Sequence, residues 1–272
     1  MLPYGKQYIN EADIKSVIDV LKSDFLTQGP QVPLFEKIVS NYCDSEFGVA
    51  VNSATSALHI ACLSLGLKKG DRLWTSPNTF AASANCGLYC GATIDFVDID
   101  PKTYNLCHNA LEKKLLKAKS EDKLPKILIP VHFGGQSCNM KKIHSLSQEY
   151  GFKIIEDASH AIGGKFLDKA IGNCQYSDIT VFSFHPVKII TTGEGGIALT
   201  NNKSLFNHMT RLRTHGITND KMLMQTKPDN EIWNYQQIEL GFNYRMTDIH
   251  AALGVSQMSR LDNFVSQRHT LA

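Results

Sequence analysis

Apolar residues recur at helical spacing from residue 11, at Ile14, Val17, Ile18 and Leu21, behind Asn10, whose side chain suits an N-cap. Pro33 opens a second short helix carrying Leu34, Phe35, Ile38 and Val39. Beyond these the pattern becomes regular. Short apolar runs at 47–51, 72–76, 93–97, 126–131, 152–156, 178–183 and 196–200 alternate with helical patterns at 54–65, 80–90, 108–118, 139–150 and 203–213. Strands separated by helices predict parallel pairing in a sheet covered on both faces, an α/β fold. The last two runs leave no room for a helix between them, and the segment 182–196, FSFHPVKIITTGEGG, fills that gap. Residues 215–243 read as a long loop and 247 to about 269 as a long amphipathic helix. The expected organisation is an N-terminal helical segment at 1–45, an α/β domain at 46–245, and a long helix at 246–272 leading toward a further C-terminal domain.

Composition narrows the partners. The 272 residues are 43% hydrophobic, enough for a sizeable core. A net charge of only +2, with basic residues spread along the chain, gives no electrostatic support to a nucleic-acid or membrane-surface role. The densest basic run, Lys113 to Lys123, also holds Glu121 and Asp122 and reads as a solvated helix face and loop. Seven cysteines (Cys43, Cys62, Cys86, Cys90, Cys107, Cys138 and Cys174), odd in number and without a CxxC pair, predict reduced thiols in a cytoplasmic protein. Cys86 and Cys90 stand four apart on a predicted helix; with no nearby His to complete a ligand set, they read as buried thiols and not as a metal site. The N-terminus, MLPYGKQYINEAD, lacks the basic start and apolar core of a signal peptide, and no apolar run approaches the roughly 20 residues of a membrane span.

In a parallel α/β sheet, ligands bind beyond the carboxyl ends of the strands. The polar residues expected there are Asn52-Ser53-Ala54-Thr55-Ser56, Ser76-Pro77-Asn78-Thr79-Phe80, Glu156-Asp157-Ala158-Ser159-His160, and the stretch from Ser183 onward. The run Ser53 to Ser56 opens a helix with small hydroxyl residues, so free N–H groups and the positive dipole end offer a phosphate site; a plain N-cap accounts for the same residues. Asp157 follows an apolar strand at a depth where an unpaired carboxylate is costly, so it needs a cation or several donors, unless it caps a following helix. Lys188, among Val187, Ile189 and Ile190, is either a snorkelling side chain or an amine desolvated enough to act as a nucleophile. A phosphate cradle, the flat ring of Phe80, a buried carboxylate and an apolar lysine together match what pyridoxal phosphate requires. Its aldehyde needs a lysine amine, its pyridine nitrogen a carboxylate that keeps it protonated, its face a stacking ring, and its phosphate a helix end. Gly193, Gly195 and Gly196 lie between strands, without a following helix or GxGxxG spacing, so the dinucleotide reading fails and a tight turn is expected.

The segments TQGPQVPLFEK, AVNSATSALHIACLSLGLKKGD, SPNTFAASANCGLYCGATIDFVDID, IIEDASHAIGG, FSFHPVKIITTGEGGIALT and GFNYRMTDIHAALGVSQMSRLD resemble, in order, the DegT/DnrJ/StrS family of nucleotide-sugar aminotransferases. The resemblance runs over nearly the whole chain. It implies an aspartate-aminotransferase-like fold (pyridoxal-phosphate fold type I) whose large domain holds a mostly parallel sheet between helices, with the C-terminal small domain largely absent from this sequence. It implies that Lys188 holds the cofactor's aldehyde and moves the proton during transamination, that Asp157 partners the pyridine nitrogen, and that Phe80 stacks on the ring. Ala54, Thr55 and Ser183 fall at phosphate-binding positions, and His160 lies beside the cofactor hydroxyl, where many members carry glutamine. Asn243, in GFNYR, matches a residue that reaches the cofactor phosphate of a partner subunit, which implies a homodimer with shared sites. A lysine at 188 argues against the sugar-dehydratase branch, which has histidine there. SATSAL, SFHPVK, RTHGIT and ELGFNYRM look most like the pseudaminic-acid branch, which aminates UDP-4-keto-6-deoxy-N-acetyl-β-L-altrosamine with L-glutamate as donor. Two other readings stay open: an aminotransferase for another nucleotide keto-sugar, and a cofactor-binding protein without turnover. The loop from Ile217 to Ile238, with Trp233 and Tyr235, is a candidate for substrate contact because aromatic rings pack on sugar and base rings.

Overall fold

The computed structural model describes residues 5–225 and 233–272. Residues 1–4 of the N-terminal stretch and 226–232 of the predicted loop 215–243 lie outside the described residues. The strands are β1 (Phe47–Val51), β2 (Arg72–Thr75), β3 (Thr93–Phe96), β4 (Ile127–Ile129), β5 (Lys153–Asp157), β6 (Lys165–Phe166), β7 (Lys169–Ala170), β8 (Ile179–Ser183), β9 (Gly196–Thr200), β10 (Ile217–Thr218) and β11 (Gln236–Gln237). The helices are α1 (Glu11–Leu21), α2 (Gln31–Cys43), α3 (Ala54–Ser64), α4 (Ala82–Tyr89), α5 (His108–Ser120), α6 (Met140–Tyr150), α7 (Lys203–Leu212), α8 (Asp248–Met258) and α9 (Leu261–Leu271). Local chemistry starts and stops them. Asn10 and Asp13 form a capping box at α1, and Gly151, at φ 77°, closes α6 in the left-handed conformation.

One seven-stranded sheet, in the order β1-β9-β8-β5-β4-β2-β3, carries the fold. Its β2, β3, β4, β5 and β8 pair in parallel, whereas β9 pairs antiparallel with both β8 and β1. Six strands therefore run one way and β9 alone runs back, as the short 184–195 connection requires. Alternation along each strand builds a core on both faces. Val49, Val51, Leu73, Ile127, Ile129, Ile155, Val181 and Ala198 pack toward α3, α4 and α7. On the opposite face, Ala50, Phe182, Ile197 and Leu199 pack with α2, α8 and α9, while Trp74, Leu128 and Ile154 pack with α5 and α6.

Two expectations are corrected. The run 93–97 forms an edge strand whose Thr93, Asp95 and Phe96 are exposed, and Asp95 pairs with Lys114 at 2.8 Å, a charge of the kind that blunts a sheet edge. The single helix expected from 247 to about 269 is two helices, α8 and α9, separated at Ser259 and Arg260. There Arg260, at φ −116° and ψ 5°, directs its guanidinium to the buried carboxylate of Asp13 on α1 and lies against the rings of Tyr8 and Phe264. That tie outweighs helical continuity. Asp248 at the start of α8 accepts from Gly29 N and Gln31 N, both at 2.7 Å, and so fastens the N-terminal helices to the sheet domain.

Candidate active site

The carboxyl ends of β1, β2, β5 and β8 share one rim of the sheet, and the residues singled out from the sequence lie along it. At one end of the rim, Gly196 pairs with Val51 on one side and Ser183 on the other. It also passes under the start of α3: a Cβ added there would meet Ala54 N at 2.4 Å and Ala54 Cα at 2.6 Å. Ser53 caps α3 by accepting from Ser56 N at 3.1 Å, and its carbonyl accepts from Ala57 N. The N–H groups of Ala54 and Thr55 precede the first intrahelical bond and stay available to an anion at the positive end of the helix. Ser53 is thus a plain cap, and capping leaves these N–H groups unpaired beside the Gly196–Ser183 pair. The glycine turn is tight as expected: Gly193 has φ 82°, and a Cβ at Gly195 would lie 2.2 Å from Thr192 Oγ1.

Asp157 closes β5 and is 4% exposed. Its Oδ1 accepts from Ser159 N at 3.2 Å and Ser159 Oγ at 2.6 Å, and its Oδ2 accepts from Ser83 Oγ at 2.6 Å. No helix follows, so Asp157 caps nothing. Several donors, not a cation alone, make its burial tolerable. Phe80 stands just ahead of α4 with its ring 78% exposed, free to stack on a flat ligand. Lys188 lies half-buried in the β8–β9 connection, with Ile190 buried and Ile189 packed on the core below it. Burial holds the Lys188 ammonium below the ordinary lysine range, while the nearby Asp157 carboxylate opposes that shift. Burial thus makes the Lys188 amine easier to deprotonate than an exposed lysine, the direction a nucleophilic amine needs. His160 lies within electrostatic reach of the same pair; desolvation and the Lys188 charge lower its pKa, against the pull of Asp157. Asn243 is exposed beside the start of α3, its carbonyl 3.5 Å from Asn52 Nδ2, in a segment pinned by Asn52 N donating to Tyr244 O at 2.9 Å.

Three features escaped the sequence reading. Ser83 donates to the carboxylate from the first turn of α4, and Thr79, in the loop just ahead of that helix, shares a 2.7 Å hydrogen bond with it. Arg213 reaches from the end of α7 to Glu36 on α2 and to Ala50 O. The third is the setting of Cys90: His59, which hydrogen-bonds Tyr244 Oη at 3.1 Å, lies near enough to act on its thiol. Among the described residues, however, no three His, Cys, Asp or Glu side chains converge as metal ligands. The residues present fit pyridoxal phosphate. The site offers a half-buried amine with a lowered pKa, a buried carboxylate with its donors, an exposed ring, and a helix end lined by small residues.

A profile of the DegT/DnrJ/EryC1/StrS aminotransferase family covers residues 7–272. The chain belongs to this family. It is 39% identical over 271 residues to the UDP-4-amino-4,6-dideoxy-N-acetyl-beta-L-altrosamine transaminase of Campylobacter jejuni, covering 100% of this chain and 68% of that one. Helicobacter pylori PseC, an aminotransferase of pseudoaminic acid biosynthesis, superposes with a TM-score of 0.85 at 31% identity, over 95% of this chain and 65% of its own. The sugar aminotransferase Spr1654 of Streptococcus pneumoniae, in its PMP form, superposes at 0.87 with 28% identity, over 100% of this chain and 70% of its own. The chain thus spans about two-thirds of the length of these relatives. The aminotransferase fold expected from the motifs is borne out, and so is the cofactor, because this family uses pyridoxal phosphate and its members have been solved in PLP and PMP forms. No helix among the described residues is long and apolar enough to cross a membrane.

Proposed function

We propose that this family member transfers the amino group of L-glutamate to a UDP-linked 4-keto-6-deoxy amino sugar, the reaction type of pseudaminic acid biosynthesis. One observation carries the reading: Lys188 and Asp157 share one rim of the sheet, close enough for the buried carboxylate to act on the lysine's charge, while burial lowers the lysine's pKa. Pyridoxal phosphate, when bound, supplies the aldehyde that takes up the amino group and a ring that accepts the electron pair of the broken C–H bond. The N–H groups of Ala54 and Thr55 and the hydroxyl of Ser183 hold the phosphate. Asp157 keeps the proton on the pyridine nitrogen, its own orientation fixed by Ser83 and Ser159. Phe80 covers one ring face and excludes water from it. With the cofactor bound, Lys188 Nζ would hold its aldehyde and would be the group that moves the proton between the donor's α-carbon, the cofactor and the acceptor sugar. His160 would lie on the side of the cofactor hydroxyl.

The similarity to the Campylobacter transaminase and to PseC supports this sugar class over others. Asn243, exposed at the phosphate end, supports a homodimer in which each copy completes its partner's phosphate site. The cytoplasm, where nucleotide sugars and glutamate are available, is the expected compartment. The test is the visible absorption spectrum of the purified chain with pyridoxal phosphate, before and after L-glutamate, beside Lys188→Ala. A band that requires Lys188 and bleaches with glutamate is expected. A Lys188-dependent band indifferent to glutamate would leave a cofactor-binding protein without donor chemistry, and its absence in a folded sample would end the assignment. UDP-linked 4-keto sugars, compared with dTDP-linked 3-keto and 4-keto hexoses, should then restore the bleached band selectively.

A further inference from the structure

Ser83 is fully buried in the first turn of α4, away from the phosphate end of the site. Besides its carbonyl, which accepts from Cys86 Sγ at 3.4 Å, its polar contacts run to the Thr79–Phe80 segment and to Asp157, on either side of where the cofactor ring would lie. Its N–H donates to Phe80 O at 3.2 Å, its Oγ–H reaches Asp157 Oδ2 at 2.6 Å, and its Oγ lies 2.7 Å from Thr79 Oγ1. Proton counting fixes the direction. An ionised carboxylate only accepts, so the single hydroxyl proton of Ser83 goes to Asp157, and Thr79 must donate to Ser83. The chain Thr79 to Ser83 to Asp157 is therefore a directional relay in which each bond polarises the next. Ser159 occupies the other carboxylate oxygen, which leaves Oδ2 as the oxygen held by α4.

We propose that Ser83 is a positioning residue for the cofactor ring: it sets the angle of the Asp157 carboxylate and ties that carboxylate to the backbone that carries Phe80. This rests on the pyridoxal-phosphate reading of the site. A serine that only packed α4 onto the sheet would affect every ligand of the site alike. One acting through Asp157 affects only ligands with a ring nitrogen for Asp157 to grip. The two roles differ in what they discriminate.

The experiment compares binding of pyridoxal phosphate with binding of its 1-deaza analogue, in which CH replaces the ring nitrogen, by the full chain and by Ser83→Ala, Ser83→Thr and Thr79→Val. The wild type should prefer pyridoxal phosphate. Ser83→Ala should weaken pyridoxal phosphate binding about tenfold, the scale of a lost hydrogen bond to a charged group, and leave the analogue within about twofold. Ser83→Thr, which keeps a hydroxyl, should restore the preference. Should Ser83→Ala fail to fold, Thr79→Val, at a half-buried position, should show the same selective loss at about two- to threefold. Equal weakening of both ligands, or no weakening of either, would overturn the positioning role alone. A wild type that forms no Lys188-dependent band, or binds both ligands equally, would overturn it together with the function on which it rests.

Discussion

Gly196→Ala tests whether the phosphate end is built by packing. Gly196 has no left-handed φ, so the substitution carries no intrinsic backbone penalty and its effect is steric. The added methyl would sit 2.4 Å from Ala54 N, 2.6 Å from Ala54 Cα and 2.6 Å from Ser53 C. All three are backbone atoms, so no side chain can rotate aside. Restoring ordinary contact near 3.4 Å asks the first turn of α3 to move by about 1 Å relative to β9. Overpacking of that kind costs about 1–3 kcal/mol of stability. The same shift displaces the N–H groups of Ala54 and Thr55, and a misplacement of about 1 Å in a binding group can cost up to about a hundredfold. Urea unfolding of the cofactor-free chain reads the first effect and titration with pyridoxal phosphate reads the second. Gly134→Ala is the control: it has φ 61° and open space around its missing Cβ, so it should lose about 1 kcal/mol through backbone strain and leave cofactor binding unchanged. If Gly196→Ala unfolds and binds like wild type, the close approach of β9 to α3 does not build the site.

Arg213→Met should cost about 3–5 kcal/mol in urea unfolding, because it strands the Glu36 carboxylate, 14% exposed and held also by Ala50 N at 2.8 Å; adding Glu36→Gln should recover most of that loss. Cys90 should be the fastest thiol to alkylate in the folded protein. Its pKa is lowered to about 6 by hydrogen bonding from Cys62 and by His59, against burial, so its rate should rise through pH 6 and level off near neutrality. Burial raises the pKa values of Cys43, Cys62 and Cys174, which should label only on unfolding; peptide mapping after iodoacetamide at pH 7 reads this, and slow labelling of Cys90 would contradict the placement of His59. Trp233, 74% exposed, should matter for the sugar alone: Trp233→Ala should weaken sugar binding about fivefold and spare the glutamate half-reaction, and equal loss in both would refute that role.

The parts of this fold that were legible in the sequence are those set by local chemistry. Apolar runs located the strands, the central ones buried on both faces, while Asn10 and Ser53 mark helix starts through side-chain caps and Gly151 a helix end through its left-handed backbone. The break between α8 and α9 was not legible, because its cause lies some 250 residues away at Asp13, and periodicity continues smoothly through Arg260. The site divides in the same way. Lys188 and Asp157 announce themselves, since a lysine and a carboxylate inside apolar runs demand an explanation before any partner is known. Ser83 does not, since a serine in a helical pattern is unremarkable until the sheet brings β5 beneath α4. That asymmetry has a physical origin. A charged group carries a desolvation cost that depends on its own surroundings, whereas a hydroxyl gains meaning only from the acceptor it meets. The residues that orient the chemistry here, Ser83, Thr79 and Ser159, are all of the second kind. Variants at these hydroxyls should therefore separate positioning from catalysis, where changes at Lys188 or Asp157 remove both together.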